Sequence, residues 1–377
     1  MNILADIWDT ICSTLVLRLE ECLQEPLTAK LTQLVGILEI VRIEEHQPQG
    51  PPNNMGRKRE DRRAMARAFV AKAVYDMPTT QLLIENLHLQ PSLRRICGFA
   101  HRRYIPSSAT FSRAFAEFAQ QKLADSVHAA LVQKYVGDQV VMHISRDATE
   151  TPPVLRCKHR NGVEAREKPA KKCKPAPEPP KKRGRRKKGE PVPEPVLTRL
   201  QKQQNQTVAE ALSELPYVCD VGVKTDSKGY KHAWIGWKTH IDWADGAFPI
   251  TVVTTSASMH DSQVAIPMTR RTAERVVSLY DLMDSAYDAP AIHQTSRECG
   301  HRPIIDPNKR RGEAVPFDPA TALRFQERTT AERGNSRLKD DFGGRHLRVR
   351  GHAKAHLHVM FGLLALFADQ WLKFVRS

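Results

Sequence analysis

The sequence predicts an α/β domain preceded by an all-helical region, and three observations carry that reading. Up to about Tyr135, apolar residues recur at helical spacing. After Val136 the pattern changes to short runs rich in β-branched and aromatic residues, with helical stretches between and after them. One segment, 156–206, follows neither period and is dominated by Lys, Arg and Pro.

Residues 1–45 read as helices in which Leu27, Leu31, Leu34, Leu38 and Val41 repeat at heptad spacing. Two heptads are too few for a coiled coil, so a packed core helix is expected. "HQPQGPPNNMG" then breaks the pattern as a linker does. The helical pattern resumes over 57–135, beginning with the basic "GRKREDRRAMARAFVAKAVYDM" and ending with "PSSATFSRAFAEFAQQKLADSVHAALVQKY". Ser107 or Ser108 is placed to cap the helix that follows Pro106. A helix-turn-helix would put Thr110, Ser112 and Arg113 at the start of a recognition helix, and an ordinary helical bundle fits the same pattern.

The strands expected next are "DQVVMHIS", "YKHAWIGWKTHIDW", "FPITVVTTSA" and "VVSLYDLMD", with helices at 261–277, 290–299 and 319–342. The most apolar run, "LHVMFGLLALFADQWLKFV", is interrupted by His358, Asp369 and Gln370, which favours a buried terminal helix over a membrane span.

The charge balance points to a polyanionic partner. The chain of 377 residues has 58 Lys and Arg against 42 Asp and Glu, a net +16. Residues 156–188 hold 15 Lys or Arg against 3 Glu, so +12 of that excess lies in one stretch. With so few apolar residues, 156–206 cannot bury enough surface to fold alone and is expected to be disordered. Within it, Arg183, Gly184 and Arg185 form an Arg-Gly-Arg suited to a narrow minor groove, and a non-specific tether to phosphates fits the same residues. The seven cysteines are scattered without a C-x-x-C pair, so neither a zinc site nor a disulfide framework is expected and a reducing cytosol is the simplest home. The N-terminal "MNILADIWDT" lacks the basic n-region of a signal peptide.

The chemistry centres on "FQERTTAERGNSRLK". On one continuous helix, at roughly 100° per residue, Phe325, Arg328, Glu332 and Lys339 stay within about 60° of one another and form a stripe. Such a stripe can be a ladder of surface ion pairs, or it can be one side of a site that holds phosphate. A two-metal phosphoryl-transfer site needs further carboxylates, and Asp147 in "VVMHISRDATE" and Asp284 in "VVSLYDLMDSAYD" each close an apolar run. On carboxylate chemistry alone Asp281 competes with Asp284, and Glu327 with Glu332. An Asp that ends a strand is also a common turn former.

At these residues the sequence resembles the DDE transposases of bacterial insertion sequences, in particular the group with a Tyr-Arg-Glu-Lys signature. Phe325, Arg328, Glu332 and Lys339 match the spacing of that signature without a gap, with Phe in place of Tyr. "RDATE" is similar to the first-Asp block, and "LMDSAYD" to the second-Asp block, in which Ser285 and Ala286 replace the usual Lys-Gly. "GYKHAWIGWKTHIDWADGAFPITVVTTSASMHDS" resembles the strands between them, and "RAFVAKAVYDM" and "PSSATFSRAF" echo the helical N-terminal region. The resemblance runs from about Arg57 to the C-terminus, leaving out the basic insert.

What the resemblance implies is an RNase H-like mixed sheet of about five strands flanked by helices, formed by 136–155 and 207–377. The N-terminal helices 1–45 and a helical, DNA-end-binding domain at 57–135 would precede it, and the disordered insert 156–206 would interrupt it. Asp147, Asp284 and Glu332 would be the catalytic acids and hold two Mg²⁺ (or Mn²⁺) ions. Arg328 and Lys339 would hold phosphates beside the scissile bond; Phe325 could stack on a base or sugar but lacks the hydroxyl of Tyr. The implied activity is binding of terminal inverted repeats, hydrolysis at each end and joining of the 3′-hydroxyl to target DNA, by a dimer in the synaptic complex. Double-stranded DNA would be the partner in a bacterial, nucleoid-associated cytoplasmic setting, with no small-molecule cofactor and no membrane. A nuclease without strand transfer and a decayed DNA-binding relative are the alternative readings.

Overall fold

The computed structural model describes residues 15–23, 26–47, 60–152, 197–225, 229–308 and 316–376. Most of the basic insert, with Arg183 and Arg185, therefore lies outside the described residues.

The helical region begins with α1 (Leu17–Leu23) and α2 (Ala29–Val41), the latter capped by Thr28, whose side chain accepts from the Leu31 amide. On α2, Leu31, Leu34, Leu38 and Val41 are buried, as expected of a core helix. After the linker come α3 (Arg62–Val74), α4 (Thr80–Leu89), α5 (Pro91–Ile96), α6 (Ser108–Gln120) and α7 (Leu123–Tyr135). Phe69 of α3 packs edge-on against Phe111, Phe115 and Phe118 of α6, which fixes these two helices against each other.

The first strand, β1 (Val140–Thr151), follows directly. Beyond the insert the chain forms α8 (Arg199–Gln204), α9 (Val208–Ser213), β2 (Asp220–Thr225), β3 (Lys231–Ala244), β4 (Phe248–Ser256), α10 (Ser262–Ala273) and β5 (Val277–Met283). It ends with α11 (Pro290–Glu298), β6 (Arg302–Ile305), α12 (Pro319–Gln326), α13 (Thr329–Asp341) and α14 (His352–Arg376). Strands lie in the order β4-β3-β1-β5-β6: β3 is antiparallel to β1 and β4, β5 is parallel to β1, and β6 is parallel to β5. This is the mixed five-stranded sheet expected, with β2 added against the first half of β3. The short run that makes β2, with only Val221 and Val223 as apolar positions, is held as a strand by its pairing with β3.

Three expectations are corrected. The end of the segment expected to be disordered over 156–206 is ordered: Thr198 and Gln201 form a capping box at the start of α8, and Arg270 of α10 donates to the carbonyls of Gln203, Gln204 and Gln206. The helix expected over 319–342 is two helices, because the chain turns at Glu327 and Arg328 with i→i−3 bonds and the buried Ser145 of β1 donates to the Glu327 carbonyl at 3.2 Å. Among the described residues Cys22, Cys97 and Cys299 are free, but Cys219 beside β2 is disulfide-bonded.

Helix α14 joins the two regions. It is long and apolar enough to cross a membrane, yet most of it is buried inside the protein, against α2, α3, α6 and α7 on one side and β4 and α13 on the other. One hydrophobic core therefore runs from Leu34 through Phe69 and Phe361 to Trp243 and Ile250. The polar residues of α14 lock it in place. Asp369 accepts from Gln33, Arg337 and Lys373, bonds that outweigh the upward push of burial and hold its carboxyl below the ordinary value. His356 lies between Asp125 of α7 and Thr254 of β4, 2.9 Å from each.

Two predictions follow from this packing. His128 is pushed down to about 4 and His358 to about 3, chiefly by burial, so both are neutral in the folded protein. The unfolded chain takes up those protons near pH 6.5, so the stabilisation is complete above that pH and is lost as pH falls toward 4. Thermal melts should show Tm dropping between pH 7 and pH 5, reflecting a loss of stability on the order of 1–2 kcal/mol per histidine at pH 5, and His128→Gln should flatten part of that fall. A pH-independent Tm over this range would contradict the burial of neutral imidazoles. Gly334 brings α13 onto the sheet so closely that a Cβ there would lie 2.7 Å from the Trp243 ring. Gly334→Ala should push α13 outward and cost about 1–3 kcal/mol, read as a lower Tm.

Candidate active site

The pleat of β1 separates structure from chemistry. Arg146 is 1% exposed and points into the sheet–α10 layer, where Nε and Nη2 each donate to the Asp242 carboxylate at 2.7 Å and Nη1 donates to Thr269. The next residue, Asp147, therefore points to the opposite face, toward α13. There the Asn335 side-chain amide donates to Asp147 Oδ2 at 2.9 Å.

Asp284 reaches the same level from the neighbouring strand. The last register pair of β1 and β5 is Ser145 with Leu282, and Asp147 and Asp284 each lie two residues beyond it. Parallel strands are spaced about 4.8 Å apart, so the two carboxylates leave the sheet side by side. Asp284 also starts the turn after β5, accepting from the Ala286 amide at 2.9 Å.

Both carboxyls are held above their ordinary values, mainly because burial penalises the charged form. Backbone hydrogen bonds from Ala148 and Ala286 oppose this, while the negative charge of Asp284 on Asp147, and of Asp261 on Asp284, adds to it. Arg328 and Lys224 face both acids and partly offset the repulsion.

Asp147, Asp284, Asp261 and Lys224 line a cleft of about 410 Å³ together with Glu332, Asn335 and Lys339 of α13 and Lys238 of β3. Glu332 is half-exposed at 57% and is bound to Arg328, whose Nη2 donates to it at 2.8 Å. Lys339 lies 4.0 Å from Glu150, and burial holds its amine below the ordinary value. Phe325 is set apart: it lies on α12 against Phe317, and the break at Glu327 removes the single helical stripe expected of the four residues. Among the described residues, no group of three or more His, Cys, Asp or Glu is placed to hold a metal ion.

The competing acids occupy other places. Asp281 is 1% exposed beneath the sheet surface and accepts from His301 at 3.2 Å, so it faces away from the cleft. Glu327 sits in the turn between α12 and α13 and does not line the cleft. The sequence reading did not single out Asn335, Lys238, Glu150 or Lys224. Asn335 could have been found as the residue one helical turn after Glu332, on the same face. Asp261, inside the quoted His-Asp-Ser block, accepts from Lys238 Nζ at 2.8 Å, a contact that spacing does not disclose.

The transposase DDE domain family matches residues 207–368, which hold Asp284 and the Glu332 helix. The transposase domain family (DUF772) matches residues 21–117, most of the helical region. Strand β1 with Asp147 falls between the two matches, next to the basic insert. No curated protein and no solved structure matches the chain. Enzymes of the DDE family generally work with divalent metal ions. With one transposase family matched over its helical region and the other over its sheet, the chain carries the pair of domains typical of insertion-sequence transposases, and its DDE domain indicates an enzyme that cleaves and transfers DNA.

Proposed function

We propose that this transposase binds the terminal inverted repeats of its element through the helical region 57–135, cleaves a phosphodiester at each end and joins the freed 3′-hydroxyl to target DNA. Two protomers would act together, one per end, on nucleoid DNA in the cytoplasm. The observation that carries the reading is the pair Asp147 and Asp284, brought side by side at the ends of parallel strands and kept above their ordinary pKa by burial.

Two buried carboxylates that repel each other suit a divalent cation, because the ion reverses the cost of keeping both charged. Asp147, Asp284 and Glu332 would hold two Mg²⁺ or Mn²⁺ ions. Bound there, the ions supply Lewis-acid polarisation of the phosphate and a more acidic water or 3′-hydroxyl. Asn335 orients Asp147 by donating to one of its oxygens. Arg328 and Lys339 hold the phosphate next to the acids. The Arg328–Glu332 pair is an exposed i,i+4 contact, worth roughly 0.3–0.5 kcal/mol. A DNA phosphate can take Arg328 at little cost and leave Glu332 free to join the two aspartates.

The direct test is excision and joining from a plasmid carrying the native flanks in Mg²⁺. Intact protein should give joined products; Glu332→Gln and Asp284→Asn should bind the ends and cut at least 100-fold more slowly, the scale expected on removing one catalytic group. Normal cleavage by Asp284→Asn would remove Asp284 from the site, and nicks without joining would indicate a nuclease. Deleting 156–188 should weaken binding to all DNA and flatten its dependence on salt, since fewer counterions are released. An unchanged salt slope would count against the insert as a phosphate tether.

A further inference from the structure

The strap between α13 and α14, residues 343–351, reads "GGRHLRVRG". Leu347 anchors it by packing, fully buried, with Trp237. On one side Arg345 lines the acidic cleft. On the other, His346, Arg348 and Arg350 line a second cavity of about 530 Å³, whose far wall is helical. That wall comprises Lys72 of α3, Thr79 and Thr80 at the start of α4, and Ser108 and Ser112 at the start of α6; Lys354 of α14 closes one end.

This groove has more positive charge than its acids can balance. Its acidic neighbour is Asp76, 3.6 Å from His346. Burial pushes the Lys72 amine down to about 8; Asp76 raises it, and Arg348 lowers it further. Arg348, Arg350 and Lys354 make no hydrogen bond or ion pair among the described residues. Helix α6 begins without a side-chain cap: the hydroxyl of its N-cap residue Ser107 faces Thr110 Oγ1 and accepts no amide of the first turn. Open amides, hydroxyls and unpaired cations on both walls are the donors a phosphate oxygen takes.

We propose that this groove binds the phosphodiester backbone of DNA, and that the strap 343–351 carries the strand from the helical region to the acidic cleft. The inference rests on the reading of 57–135 as the end-binding region. A duplex fits better than an isolated phosphate because the cations continue along the strap, and Arg345 emerges on the far side into the cleft.

The test uses full-length protein and the variant Arg348→Gln/Arg350→Gln/Lys354→Gln, with fluorescence anisotropy on an end-containing duplex and on an unrelated duplex across a salt series. The variant should keep its Tm, lose at least about tenfold in affinity for both duplexes near 0.1 M salt, and show a log–log salt slope smaller by about 2–3. Equal affinity and slope in the two proteins would overturn the groove. If inorganic phosphate raises the Tm of the parent protein while the variant binds DNA normally, the groove is a small-anion site and the inference fails. Should the variant fold poorly, acetylation of the parent protein gives the same answer: Lys72 and Lys354 should lose reactivity when the duplex is added, and unchanged reactivity overturns the inference. Parent protein that binds both duplexes equally would instead overturn the end-recognition reading and leave the groove standing.

Discussion

A buried fork between Arg146 and Asp242 sets the geometry on which the rest of the site depends. The two residues are cross-strand partners on β1 and β3, 1% and 0% exposed, and their remaining polar atoms are met by Thr269 and Thr272 of α10. A buried pair of this kind adds little over an apolar pair, but removing one partner strands a charge and costs about 3–5 kcal/mol. Its effect here is register. A shift of β1 by one residue would break the fork and turn Asp147 into the α10 layer, so the pair that defines the inner face also defines where the acid points.

The opposite face is set by close approach and not by charge. Gly334 lets α13 lie against the Trp243 ring, and Asn335 beside it reaches Asp147. Ser145 holds the turn that starts α13 through the Glu327 carbonyl. Glu332 and Lys339 thus reach the cleft from a helix whose height and starting point are both fixed by β1 and β3. Helix α14 then connects this assembly to the helical region through a shared core, so the strap before it lies between the basic groove and the acidic cleft.

Charge is distributed by the same logic. The aspartates are kept where burial makes their ionisation costly, with Arg328, Lys339 and Lys224 as the nearby cations. Asp261 accepts from Lys238, while its negative charge still adds to the upward push on Asp284. Asp284 accepts from the backbone amide of Ala286 at the start of the turn, and Arg328 and Lys224 are the cations that act on it.

Strand and helix periods, the apolar terminal helix and the spacing Phe325-Arg328-Glu332-Lys339 were legible in the sequence because they are local patterns of 2, 3.6 and 7 residues. Asp147 and Asp284 could be named for the same reason, each ending an apolar run, although Asp281 and Glu327 were equally good acids on composition. Tertiary structure places them apart: Asp147, Asp284 and Glu332 line one cleft, whereas Asp281 pairs with His301 and Glu327 sits in a turn held by Ser145. It also broke the stripe into two helices, made Asp220–Thr225 a strand by pairing it with β3, and ordered Arg199–Gln204 through Arg270. Each of these rests on pairing or side-chain contacts with another element, up to 182 residues away between Ser145 and Glu327, and such a contact leaves no period in the chain to read.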